Sequence, residues 1–461
     1  TIGYFARICP EKGLHNLVDA FIHLKASPGA PPCRLRVSGW LGENYRAYLD
    51  EQKAKLARAN LLSDFEHVDC PDHASKDRFM QSLDVMSVPT TYHEPKGLYL
   101  LEAWANGVPV VQPAHGAFPE LIEATGGIFS HVLYSDNGST AVEIMLKLAV
   151  QYWRNTGEPE KQVFIKFDAN YHGDTVGAMS LGGDSVFTRA FATLLFETQS
   201  FVYPTEGHQA EFVLSELEIY LQQHANRVAA IVLEPLIAAA GGMVFQSMAT
   251  LQRIAELAAE YNVLLLFDEV FTGMGRTGEM FALQFADVKP DMVAVAKGLT
   301  GGALPLAVTL VSEKIHSAFV SEEAAKTFYH GHTMSGNPPG CAAALASFAL
   351  FESENSLKQV SQLQARMEEA WRRLLQRFPG KLADARALGA VSAANLVSRG
   401  EEPGYVFSAA KRFRQICREQ GVILRPLGNV IYVTPPYNIS DSALDRVFLA
   451  IAAALAEYRV E

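Results

Sequence analysis

Two apolar runs constrain this chain more than any other feature. Val263 to Phe267 leads without a polar interruption into Asp268-Glu269, and MVAVA ends on Lys297. A strand with one wet face alternates apolar and polar residues. An unbroken run is therefore read as a strand covered on both faces, as in a parallel sheet between helical layers. Such sheets collect their ligands at the C-terminal ends of the strands. Between the runs, FTGMGRTG places three glycines within six positions, and GLTGG follows the lysine. Irregular glycine loops and two opposite charges are thus expected at one sheet edge.

A lysine that leaves an apolar strand for a glycine-lined pocket can lose its charge by desolvation, as Schiff-base chemistry requires. A carboxylate beside it can keep a pyridine nitrogen protonated, so Lys297 and Asp268 together are what a pyridoxal phosphate (PLP) site needs. By themselves they equally fit a strand-end lysine facing water and an aspartate capping a turn.

At 461 residues the chain is expected to hold two or three domains. Its 49% hydrophobic and 19% charged residues exclude wholesale disorder, and its net charge of -11 argues against a general nucleic-acid binder. The apolar stretch AAIVLEPLIAAAGGMV is interrupted by Glu234 and Pro235, so no membrane span is expected. Five scattered cysteines without CxxC spacing point to a reducing, cytoplasmic setting and to no metal. The opening at Thr1, with neither initiator methionine nor signal peptide, reads as a fragment's N-terminus.

Residues 1–127 alternate strand and helix patterns, beginning with IGYFAR, KGLHNLVDAFIHLK and CRLRVSGW, which predicts a doubly wound, Rossmann-like half-domain. Arg7 and Lys12 flank the first strand-to-helix turn, where cations and free helix N–H groups can hold a diphosphate. Glu94 and Glu102, with seven residues between them, bracket a helix start and are candidates to face a sugar and a ribose. ARICPEKGLHNLVDAF with HEPKGLYLLEAWANGVPVV resembles the nucleotide-sugar-binding half of retaining two-Rossmann glycosyltransferases. That resemblance implies that Arg7 and Lys12 bind the leaving diphosphate and that Glu94 and Glu102 face the donor. It stops at Gly126-Gly127.

The remainder starts without a linker. HVLYSD reads as a strand and TAVEIMLKLAVQYW as an amphipathic helix, with Asn137-Gly138-Ser139-Thr140 between them. Small residues with free N–H groups at a helix start make a phosphate cradle, although a turn with Ser139 as N-cap fits as well. VFIKF leads to Tyr171 and His172; the tyrosine can stack on a flat cofactor or belong to the core. AAIVLEP ends on Glu234. FYHGHTMSGNPPG holds Gly331, His332 and Thr333 in a polar turn before another helix. After the long helix SLKQVSQLQARMEEAWRRLLQRF the pattern becomes α+β. There Arg425, between GVIL and Pro426, is expected to be half-buried and suited to a bidentate grip on a substrate carboxylate, or on a structural acid.

Taken in order, GSTAVE, YHGDT, LEP, DEVFTGMGRTG, AKGLTGG, HGHT and RPLG resemble the class III, fold-type-I PLP aminotransferases across residues 131–461. YSDNGSTAVEIMLKLAVQYW and RPLGNVIYVTPPY narrow the likeness to the branch of biotin synthesis that aminates 8-amino-7-oxononanoate to 7,8-diaminononanoate with S-adenosylmethionine as donor. The resemblance implies that Lys297 carries the cofactor and shuttles a proton, and that Asp268 holds the pyridine nitrogen. It assigns the phosphate to Gly138, Ser139, His332 and Thr333, the last from the neighbouring subunit of a homodimer. Tyr171 would lie against the ring and, with Gly331 and Arg425, border the substrate; two half-reactions through one site imply ping-pong kinetics.

Two departures from the family pattern stand out. AAAGGM replaces a polar QGAGGM, which makes the wall near Ala238 drier or wider, and His332 stands where proline is frequent. The family's N-terminal segment has no counterpart, and the glycosyltransferase-like stretch takes its place, joined near Gly127-Ile128. The expected organisation is a truncated nucleotide-sugar half-domain over 1–127, a PLP-binding large domain over 128–355 and a small α+β domain over 356–461. Three functions are open: an aminotransferase, a glycosyltransferase carried by the first part, and an inactive fusion of two incomplete enzymes.

Overall fold

A computed structural model describes residues 1–90, 103, 106, 108, 123–183, 188–205, 207–398 and 407–460. The chain divides into two compact units, Thr1–Pro119 with Asn337–Pro339, and Glu120–Gly336 with Gly340–Glu461.

In the first unit β1 (Ile2–Phe5), β2 (Leu35–Ser38), β3 (Phe65–His67) and β4 (Val85–Met86) form a parallel sheet in the order β3-β2-β1-β4. Helices Leu14–Ala26 and Arg46–Arg58 pack on it through Leu17, Val18, Phe21, Leu49 and Leu56. The turn out of β1 needs glycine at position 13: its φ is +71°, and a Cβ there would stand 1.7 Å from the Pro89 carbonyl oxygen.

The second unit is built on seven strands in the order β5-β13-β12-β11-β8-β6-β7. These are β5 (His131–Ser135), β6 (Val163–Phe167), β7 (Thr198–Phe201), β8 (Val228–Leu233), β11 (Leu264–Asp268), β12 (Met292–Val295) and β13 (Ala307–Val311). Strands β6, β7, β8, β11 and β12 are mutually parallel, and β13 runs against both β12 and β5. The central strands β8, β11 and β12 are buried at every residue, as their unbroken apolar runs predict. Strand β7, TQSF, carries no such run and is not foreshadowed by the pattern. Among the described residues it pairs only with β6, and its first three residues are partly exposed.

The Gly138–Asn155 helix covers this sheet with Val142, Met145, Leu146, Ala149 and Trp153, and the Trp153 indole donates to the Ala229 carbonyl at 2.8 Å. Each fully buried large apolar side chain of this kind contributes about 1.5–3 kcal/mol. β9 (Ile237–Ala238) and β10 (Val244–Phe245) make a small antiparallel pair. β14 (Leu382–Leu388), β15 (Val391–Leu396) and β16 (Val430–Val433) form an antiparallel sheet covered by helices Ser356–Arg377, Ser408–Glu419 and Asp441–Glu457 around Trp371, Phe413 and Phe448. Among the described residues no helix is long and apolar enough to cross a membrane. All five cysteines are free thiols.

Candidate active site

The ends of β5, β6, β8, β11 and β12 converge on a cavity of about 670 Å³. Gly138, Ser139, Tyr171, Glu234, Asp268 and Lys297 all line it, so residues from five separate segments meet at the edge where parallel strands end. Asp268 closes β11 and pairs in register with Ala294 of β12; Lys297 lies three residues beyond Ala294, past the end of that neighbouring strand.

Asp268 is the best-anchored charge in the cavity. Its Oδ1 accepts the Val270 N–H at 3.0 Å, and its Oδ2 lies 2.8 Å from His172 Nδ1, both side chains being buried. An ionised carboxylate only accepts, so the imidazole proton belongs on Nδ1. That leaves Nε2 buried and without a hydrogen-bond partner. Sequence patterns place His172 just past a strand and give it no role, and its pairing with Asp268 spans 96 residues.

A second buried acid backs the first. Glu234, at the end of β8, accepts the N–H groups of Tyr171 at 3.0 Å and Ala239 at 3.3 Å. Burial, reinforced by the Asp268 charge, pushes its carboxyl up to about 7. Glu234 thereby fixes the backbone at Tyr171, whose hydroxyl donates to Asp174 at 2.9 Å. Burial, with that hydrogen bond, pushes the Tyr171 phenol up to about 12.

At the start of the Gly138–Asn155 helix the cap is Asn137, not Ser139: its side chain accepts from Thr140 N–H at 3.1 Å. Gly138 and Ser139 fall in the first turn, where N–H groups have no intrahelical acceptor. Gly173 closes over them at φ +123°, and a Cβ on it would stand 1.8 Å from Ser139 Oγ. Val270, Phe271, Ala239 and Ala240 supply apolar wall, Val270 packing against Gly138 itself. The drier wall expected near Ala238 is thus made by its two successors, since Ala238 itself is packed into β9.

Several expected residues stand apart. Lys297 is exposed at φ +47°, with Nζ 5.4 Å from the Phe271 ring centroid, so burial in this single chain does not desolvate it. Arg425 is exposed rather than half-buried, because GVIL does not continue as a strand and β16 begins only at Val430. Gly331 and Thr333 are exposed, and neither they nor Arg425 are among the described residues lining the cavity. His332 does reach its rim, with Nδ1 2.9 Å from Oδ2 of the cavity-lining Asp136. In the first unit Arg7 is exposed and Lys12 half-buried, on either side of the turn after β1; Glu94 and Glu102 lie outside the described residues.

The sheet order and the acid, amine and helix start on one edge define a PLP-dependent transferase of fold type I. The chain belongs to the class III aminotransferases: residues 103–455 match that family's model, which reaches further back than residue 131. Residues 1–146 match the model of group 1 glycosyl transferases, so the two matches overlap. The adenosylmethionine-8-amino-7-oxononanoate aminotransferase of Synechococcus elongatus is 40% identical over 354 residues, covering 75% of this chain and 81% of that protein. Its Geobacter sulfurreducens counterpart is 42% identical over 329 residues, covering 68% and 72%. Among solved structures, the same enzyme from Methanocaldococcus jannaschii superimposes with a TM-score of 0.69 at 34% identity, covering 74% of this chain and 78% of that one. A PLP-bound amine transaminase from an uncultivated Pseudomonas species also gives 0.69, at 30% identity over 73% and 79%.

The donor set fits PLP. An anchored carboxylate suits a protonated ring nitrogen, the glycine-lined helix start suits a phosphate, and the orphaned His172 Nε2 is a polar atom still in need of a partner.

Proposed function

We propose that this chain transfers an amino group from S-adenosylmethionine to 8-amino-7-oxononanoate, giving 7,8-diaminononanoate. The observation that carries the chemistry is the His172-braced Asp268 sharing one cavity with Lys297. The substrates rest on relatives of that printed activity at 40% and 42% identity.

When bound, PLP supplies an electron sink that makes a substrate C–H bond acidic and carries nitrogen between donor and acceptor. Asp268 holds the proton at the pyridine nitrogen, and His172 keeps that carboxylate aimed by its 2.8 Å contact. Lys297 Nζ would hold the cofactor through its aldehyde and, once the substrate amine has displaced it, would be free to carry the proton between the substrate carbon and the cofactor. The first N–H groups of the Gly138 helix and the Ser139 hydroxyl bind the phosphate, and the Val270, Phe271 and Ala240 walls exclude water. We assign Thr333 and His332 to the phosphate side, Gly331 and Arg425 to the substrate side, and completion of the site to a second copy of the chain. The test is product formation by the full chain with PLP and both substrates. No 7,8-diaminononanoate with either S-adenosylmethionine or lysine as donor would sink the substrate assignment.

A second reading attaches to residues 1–146, whose match to the glycosyl transferase model favours nucleotide-sugar binding by Arg7 and Lys12 at the β1 turn. Binding of uridine and adenosine diphosphates by the full chain tests it. Equal affinity in wild type and Arg7→Ala would remove Arg7 from that role.

A further inference from the structure

At the end of β5 far from the cavity, three side chains converge that the aminotransferase chemistry does not use. His131 opens β5, while Glu313 and His316 lie one helical turn apart on the short Glu313–Ser317 helix that follows β13. Pairing of His131 with Val311 brings the two segments together. One ligand atom from each of the three residues lies within 4.8 Å of the other two. Each imidazole Nδ1 is 3.7 Å from a different oxygen of the Glu313 carboxylate, and the two rings stack with centroids 3.3 Å apart.

We propose that His131, Glu313 and His316 bind a divalent transition-metal ion of the zinc type. Two imidazoles and a carboxylate are a donor set this ion prefers, with bonds of about 2.0–2.2 Å that put neighbouring ligand atoms roughly 3.4 Å apart. The carboxylate-to-imidazole separations of 3.7 Å are close to that value, and the two stacked rings would have to turn out of parallel to aim their nitrogens at one ion. Supporting contacts of the kind that orient a metal-binding carboxylate are in place, since Ser130 and Ser317 hydroxyls each donate to Glu313 at 2.9 Å. Ser130 Oγ also lies 2.7 Å from His131 Nδ1, a contact the ion would have to displace. His316 Nδ1 is buried without a hydrogen-bond partner, a lone pair or N–H that the protein leaves unused. With water as fourth ligand the site would clamp the edge strand β5 to the segment after β13. Four residue steps along β5, roughly 13 Å, separate it from Ser135 at the cavity end. The cysteine spacing that argues against zinc has no bearing here, because the cluster contains no cysteine.

The experiment uses the full chain with its cofactor, stripped with EDTA and titrated with Zn²⁺ by calorimetry and with Co²⁺ by visible absorbance. One equivalent per chain is expected. Glu313→Gln and His316→Gln should each weaken Zn²⁺ binding at least tenfold, and Zn²⁺ should raise the unfolding midpoint of the wild type more than that of either variant. Absence of stoichiometric uptake by the wild type overturns the site whatever the variants do. Unchanged affinity in the variants, or uptake abolished by alkylating the cysteines, places the ion elsewhere and equally overturns it.

Discussion

His172 Nδ1 and Asp268 Oδ2 lie 2.8 Å apart in a fully enclosed pair, joining the loop after β6 to the last residue of β11. This contact gives Asp268 one orientation in a cavity that it shares with a second buried acid, Glu234, whose carboxyl the Asp268 charge helps to push up. Replacing Asp268 by Asn should leave the fold intact and lower transamination by about 10²–10³-fold, the scale for removing one preorganised electrostatic partner. His172→Ala, which loses the orienting contact alone, should cost about 10–100-fold, the equivalent of a charged hydrogen bond. Initial rates with PLP saturating decide between them; a larger effect from His172→Ala would contradict the assigned order.

Lys297 is expected to be the residue that holds the cofactor covalently. Borohydride reduction of the PLP-loaded chain should fix the cofactor's mass on the peptide containing Lys297, and Lys297→Ala should abolish that label while reducing turnover by at least about 10³-fold. Mass spectrometry of the reduced, digested protein checks it; a label on another lysine would refute it.

Gly173→Ala places a methyl group where Ser139 Oγ now lies 1.8 Å from the ideal Cβ position, at a φ of +123°. Backbone strain of about 1–3 kcal/mol is expected, together with displacement of Ser139. The measurement is affinity for PLP beside the unfolding midpoint. Loss of cofactor affinity exceeding the loss of stability would mark Ser139 as a phosphate ligand, and an unaltered affinity would argue against it.

Burial pushes the Glu269 carboxyl up to about 7, against three donors, the N–H groups of Ala282 and Leu283 and the Thr272 hydroxyl. A carboxyl raised on folding binds more protons in the native state between its unfolded value and about 7. Its contribution to stability is therefore fully present below about 4.5 and is lost as pH rises through about 7. Glu269→Gln cannot titrate and leaves one N–H facing a donor. Its deficit relative to wild type should be largest near pH 5 and shrink towards pH 8 by up to about 3 kcal/mol. Urea unfolding at both pH values gives the answer, and a pH-independent deficit would contradict it.

Much of this site is legible in the chain alone, and the reason is local. LLLFD and MVAV are continuous apolar runs that cannot expose either face, so their strand identity and the position of Asp268 at a strand end follow from composition along a few residues. The phosphate-type helix start at Gly138 is equally local, although its cap is Asn137 rather than Ser139 because Asn137 alone reaches the Thr140 N–H. Strand β7 escaped because an edge strand buried at one residue of four carries no hydrophobic signature.

Arg425 shows the limit from the other side. An apolar GVIL before it reads as strand, yet among the described residues no ladder extends past the β16 register with β15, and the arginine is left exposed. The chain by itself determined the kinds of elements, the acid and the amine, because each depends on residues within one turn or one strand. Only the tertiary structure decided that β11 lies between β8 and β12, that His172 rather than water faces Asp268, and that His332 meets Asp136. Those contacts close loops of 96 and 196 residues, and no local preference selects a partner at that distance. Packing of the whole sheet does, by bringing these buried polar atoms within reach of one another.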